Sequence, residues 1–130
     1  MERAREEVLG YLRLMGLKVL KRDEPLLDFC LGRVEERILN ACNLREVPEG
    51  LTFCFAGMAL AEYLAARRSC GGLEGSALAL EPLVKQLQEG DTSVTWDTGS
   101  AVSPDQLLDR LIEGLRGLEG QLVRYRKVAW

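Results

Sequence analysis

Apolar residues near the start of the chain recur at helical spacing. Val8, Leu9, Leu12 and Met15 share one stripe, with arginine and glutamate on the other side. This predicts a helix over about residues 2–15, which Gly16 ends. Lys21-Arg22-Asp23-Glu24-Pro25 reads as a turn whose acidic residues precede a proline near a helix start. From Pro25 to Asn43, Leu27, Leu31, Val34, Ile38 and Cys42 step by four, three, four and four, forming the continuous face of a second helix. Glu35, Glu36 and Arg37 lie off that face, and Asn43 suits its C-terminal end. Residues 44–50 carry Pro48 and Gly50, which marks a connection.

A third helix, over about Leu51 to Arg68, shows almost no polar side. Phe53, Cys54, Phe55, Met58, Leu60, Tyr63 and Leu64 surround it, so it must be covered on most sides and belongs at the centre of the core. Residues 70–82 are rich in Gly, Ser and Ala, with room for a short helix around Ala77–Leu80. Two extended runs then flank Glu89-Gly90-Asp91, and the alternation of Val94 and Trp96 about Thr95 favours strand. A hairpin or projecting loop over 84–96 is therefore expected. An isolated hairpin is marginal in water and needs a surface to lie on. Val94, Thr95 and Trp96 are accordingly candidates for an oligomer interface, the alternative being that Trp96 folds back on its own helices.

Ser103-Pro104-Asp105-Gln106 supplies an N-cap, a proline at the first helical position and a glutamine at the third. Leu107, Leu108, Leu111, Ile112, Leu115, Leu118 and Leu122 continue this last helix. Gly114, Gly117 and Gly120 interrupt it, each costing about 1 kcal/mol against alanine. Either a second backbone packs closely there, or the helix weakens before its end; the second reading is favoured. The fold class expected is all-α: a single domain over 1–130, a small helical bundle with a hairpin or extended loop before the last helix, and residues 123–130 as a binding tail.

Charge and chemistry narrow the function. Net charge is −3, but residues 1–22 and 116–130 each carry +3 while the body between them carries −9. An acidic body argues against general DNA binding, where clustered positive charge supplies most of the affinity. The basic ends have a plain alternative as merely solvated. Cys30, Cys42, Cys54 and Cys70 are spaced by 12, 12 and 16 residues with no CxxC pair and no histidine anywhere, which disfavours a zinc site. The first three lie among apolar residues and read as core. Glu6-Glu7 and Glu35-Glu36 diverge by about 100° on a helix, so they do not form a shared acid/base pair. With no histidine and no nucleotide-binding or nucleophile-elbow motif, no enzyme and no cofactor are expected. The longest apolar stretch, Leu51 to Ala66, contains Glu62 and suits no membrane span, and the first residues lack a signal-peptide core.

Two stretches carry a resemblance. One is Val34-Glu-Glu-Arg-Ile-Leu-Asn-Ala-Cys-Asn-Leu-Arg-Glu-Val-Pro-Glu-Gly-Leu51, followed by Met58-Ala-Leu-Ala-Glu-Tyr-Leu64. The other is Val84 to Trp96, with its Glu-Gly-Asp-Thr-Ser-Val-Thr core, together with Leu122-Val-Arg-Tyr-Arg-Lys-Val-Ala-Trp130. In this order they resemble the small head–tail connector (adaptor) proteins of tailed phages and prophages of Gram-positive bacteria, over most of the chain from about residue 25. The resemblance implies a virion protein made in the host cytoplasm that forms a ring, of about twelve subunits, between the portal and the tail or a stopper protein. DNA passes through the lumen without sequence-specific binding. It also implies that the tail residues Arg124, Tyr125, Arg126, Lys127 and Trp130 grip the portal; their basic and aromatic character fits an anchor, with burial against the chain's own core as the alternative. Two other readings stand beside it: a helical DNA-binding regulator and a cytosolic scaffold unrelated to phage.

Overall fold

The structure is a computed structural model that describes residues 2–17, 19, 21–69 and 104–125. Among the described residues the chain forms four α-helices and no strand: α1 (Glu2–Leu14), α2 (Glu24–Cys42), α3 (Thr52–Ser69) and α4 (Pro104–Arg116). Three 3₁₀ segments accompany them, at Lys21–Asp23, Glu49–Leu51 and Gly117–Tyr125. The helical class expected from periodicity is what the described residues adopt. The hairpin expected over 84–96, and with it Val94, Thr95 and Trp96, lies outside the described residues.

Each early helix follows its stripe. In α1 the buried residues are Ala4, Val8, Tyr11 and Leu12, and Met15 extends the same face beyond the helix. Gly16 then takes φ +78, a left-handed conformation that glycine adopts without steric cost. Its N–H donates to the Arg13 carbonyl at 3.0 Å and the Leu17 N–H to the Leu12 carbonyl at 2.9 Å, so two otherwise orphaned carbonyls are satisfied. In α2 the buried face is Leu27, Cys30, Leu31, Val34, Ile38 and Cys42, entered with Pro25 in the first turn. Asn43 closes it at φ 55, and the N–H groups of Asn43 and Leu44 both reach the Leu39 carbonyl. Asparagine is the residue after glycine that tolerates this conformation.

The third helix is the hub. From Cys54 to Leu64 every residue of α3 except Glu62 is buried, and the helix packs against α1, α2, α4 and the Gly117–Tyr125 segment. Such coverage explains why α3 needs no polar face. It also explains Gly57. A methyl group built there would overlap Leu118 Cδ1 and come within 3.3 Å of Leu115 Cδ2. The last helix thus crosses α3 with its leucines seated on the glycine.

That last helix changes character where glycines accumulate. The α-helical winding stops at Arg116 and nine residues continue as 3₁₀ helix, an unusual length for this geometry. Leu118 and Leu122 are nonetheless buried, and the Cys42 thiol donates to the Leu122 carbonyl at 3.4 Å. The segment is therefore tied to α2 as well as to α3. Of the two readings of the glycines, weakening describes Gly117 and Gly120, because nothing lies within 4 Å of a methyl at either. The close approach is made at Gly57 on the opposite helix. Replacing Gly117 by alanine should accordingly raise stability by about 0.4–1 kcal/mol, since the side chain enters open space and the unfolded chain loses freedom. Urea denaturation of Gly117→Ala against the parent checks this; an unchanged or lower midpoint would mean that the 3₁₀ winding itself requires glycine.

Candidate functional site

With the core taken up by packing, chemistry is left to the rims of the helices. Ion pairs join every helix to a neighbour: Arg5 with Asp28 links α1 to α2, and Arg68 with Asp109 links α3 to α4. Arg3 with Glu49 holds α1 to the turn that precedes α3. These side chains are largely exposed, so each pair contributes roughly 0–1 kcal/mol.

Two further arrangements bring more than two side chains together. At one end of α3, Arg67 and Asp23 approach to 3.3 Å, both with side chains 16% exposed. Arg67 also donates to the Tyr63 hydroxyl at 2.8 Å and lies 5.7 Å from the centre of its ring. Burial pushes the Tyr63 hydroxyl pKa up, and the Arg67 hydrogen bond and charge offset part of that rise. Asp23 stands at the N-cap position of α2 without bonding that helix's own amides. Its carboxylate is given to the arginine instead, so the cluster fixes the start of α2 on the end of α3.

The second arrangement is a cleft of about 130 Å³ lined by Arg37 of α2, Met58 and Glu62 of α3, Arg116 of α4, and Glu119. Glu62, the polar interruption in α3's buried run, stands between two guanidiniums, with Arg37 at 4.0 Å and the Arg116 Nε at 3.8 Å. The Met58 side chain gives the cleft an apolar element. Guanidiniums hold their charge throughout the accessible pH range, so this set is suited to binding. Flat groups can lie against a guanidinium.

Elsewhere on α2, Phe29 is the exposed large hydrophobic residue among the described positions, at 60%. The Arg33 guanidinium lies 5.8 Å from its ring centre. Phe29 follows Leu27 by two positions, which turns it about 200° away from the buried face. That offset is visible in the sequence and was the available signal; the periodic stripe drew attention to the other side of the helix. Glu62 was likewise legible as the one charge within α3's apolar run, although its two arginine partners come from helices that spacing cannot bring together.

Cys30, Cys42 and Cys54 are buried and joined in no disulfide, in keeping with their apolar sequence surroundings. Burial pushes the Cys30 thiol pKa up, the Glu62 charge adds to this, and Arg33 opposes it, so the reactive thiolate is disfavoured. Burial together with Glu7 pushes the Tyr11 hydroxyl up to about 12. Among the described residues no cluster of three or more His, Cys, Asp or Glu is placed to hold a metal, and no helix is long and apolar enough to cross a membrane.

Of the residues expected to bind the portal, Arg124 and Tyr125 fall in the last turn of the 3₁₀ segment. Arg126, Lys127 and Trp130 lie outside the described residues, as does Cys70. No protein family, characterised protein or solved structure matches this chain.

Proposed function

We propose that the chain is a structural head–tail connector: a subunit of a ring between portal and tail, with DNA passing through the lumen and residues 124–130 gripping the portal. The observation that carries the proposal is the order of the sequence blocks, from Val34 through the apolar α3 and the Glu89-Gly90-Asp91 stretch to the basic, aromatic end. A helical bundle with its polar chemistry invested in ion pairs between helices is in keeping with an assembly part. Its acidic body suits a passage along which DNA slides without sticking.

The competing DNA-binding regulator is disfavoured by a specific feature. A helix-turn-helix would present α2 or α3 to the major groove. α3 is buried from Cys54 to Leu64 apart from Glu62, and the exposed side of α2 carries Glu24, Asp28 and Glu36 beside its arginines. Neither offers a basic recognition surface.

The test is docking to the cognate portal ring. The full chain should co-sediment with portal rings, and removing 124–130 should abolish this while leaving thermal melting nearly unchanged. Leu118, Leu122 and the Cys42–Leu122 hydrogen bond all precede the cut, so the core is spared. Loss of Trp130 and its basic neighbours should lower portal affinity by about 2–4 kcal/mol. A large fall in melting temperature would show that the segment covers the core. A full chain that ignores portal rings would overturn the connector reading.

A further inference from the structure

We propose that the Gly117–Tyr125 segment is a releasable strap, which lies closed across α2 and α3 and opens while the four helices stay folded. The opening stands on the geometry of the segment; only the use made of it rests on the connector reading.

Three observations carry the strap. The first is its backbone. Nine residues wind as 3₁₀ helix, a form whose poorer hydrogen bonds make runs beyond about three or four residues uncommon. Gly117 and Gly120 lie within it, and glycine loses more chain freedom on ordering than any other residue. The second is how little holds it. Among its described side chains Leu118 and Leu122 are buried, while Gly117, Glu119 and Gly120 are exposed. The Cys42 thiol donates to the Leu122 carbonyl at 3.4 Å, and a thiol is a weak donor. By contrast, α3 alone buries ten residues. Segments with few buried apolar contacts are the low-stability end of a fold and open as local units. The third is position. All four helices precede the strap in the chain, so it can swing out from Arg116 with none of them drawn along.

Opening uncovers Cys42 on α2 and the seat of Leu118 at Gly57 on α3. It also frees the nine residues directly ahead of 126–130. Wound as 3₁₀ helix they span about 18 Å, at about 2.0 Å per residue; extended they reach about 30 Å. Within the connector reading, this slack lets the tail engage portal before the domain is seated against it.

The experiment uses Cys42 as a reporter. The full chain, in a Cys70→Ser background, is treated with excess N-ethylmaleimide under native conditions, and singly modified chains are assigned by mass spectrometry. Cys30, twelve residues back on α2 and about 18 Å away along the helix, is the reference. Static exposure puts Cys42 behind it, since Cys42 is 0% exposed and Cys30 4%. A strap reverses the order: Cys42 should react at least about tenfold faster than Cys30, which waits for global unfolding. Low urea should leave the Cys42 rate nearly flat and raise that of Cys30, because local opening exposes little surface. Arg67→Ala loosens the opposite ends of α2 and α3, where Arg67 meets Asp23. It should speed Cys30 at least about tenfold and leave Cys42 within about twofold. Val8→Ala, on the buried face of α1, should give the same pattern if Arg67→Ala does not stay folded. Cys42 reacting no faster than Cys30, or both thiols responding alike to urea and to these substitutions, overturns the strap. In that case intact portal docking leaves the connector reading standing. A chain whose Cys42 opens ahead of Cys30 but which never docks on portal keeps the strap and loses the connector reading.

Discussion

Ala59→Asp should abolish folding at ambient temperature. Ala59 is fully buried in the middle of α3, so the substitution leaves no cavity and combines the desolvation of a carboxylate with the strain of fitting a larger side chain. The nearby charge is Glu62, one helical turn away on the same element, which repels it. An unpaired buried ion costs several kcal/mol even after relaxation. The whole stability of a domain this size is roughly 5–15 kcal/mol. Protonation relieves part of the penalty, so folding should recover partly on acidification through the upper carboxylate range. The control is Ala41→Asp on the exposed side of α2, near its C-terminal end, where the helix dipole sets the cost at no more than about 1 kcal/mol. Far-ultraviolet circular dichroism of both variants from pH 4 to 8 is the measurement. Native-like melting of Ala59→Asp at pH 8 would show that α3 is not the enclosed hub described above.

Arg67→Ala should cost about 2–3 kcal/mol, far more than any rim arginine. Removing one member of a fully buried ion pair costs about 3–5 kcal/mol, because the other charge is stranded, and 16% exposure on both sides moderates that figure. The substitution also takes a hydrogen bond from the buried Tyr63 hydroxyl. Asp23→Asn in the same chain should return part of the loss by removing the carboxylate that faced the arginine, giving a coupling energy above about 1 kcal/mol in a double-mutant cycle. Arg3→Ala, whose partner Glu49 is exposed, should change stability by less than about 0.5 kcal/mol. Equal effects at Arg67 and Arg3 would mean that Asp23, Tyr63 and Arg67 do not act as a unit.

The local signals proved legible where one element determines its own outcome. The stripe Leu27–Leu31–Val34–Ile38–Cys42 became the buried face of α2, Gly16 and Asn43 became the left-handed turns that follow α1 and α2, and the apolar α3 became the centre. Pro104 begins α4, as its turn chemistry indicates. What local signals carried poorly were relations between elements. Leu115, Leu118 and Leu122 keep α-helical spacing, yet the backbone winds as 3₁₀ after Arg116; the glycines hinted at a weakness without specifying its form. Gly57 gave no periodic signal, because its role depends on Leu118 arriving from a distant helix. Glu62 and its two arginines are a site only once α2, α3 and α4 have met. Periodicity reports which side of a helix is covered, and says little about which partner covers it.

The position of α4 in the chain has a consequence for synthesis. α1, α2 and α3 follow one another within the first 69 residues, but the helix that covers Gly57 starts at Pro104. On the ribosome, at about 5–20 residues per second, the intervening 34 residues take roughly two to seven seconds to add. Through that interval the seam around Gly57 and Met58 faces water or whatever else is near, while helix formation itself takes well under a millisecond. The nascent chain is therefore most exposed to misassociation just after α3 is complete, a window that a chaperone or an early contact with another chain can cover.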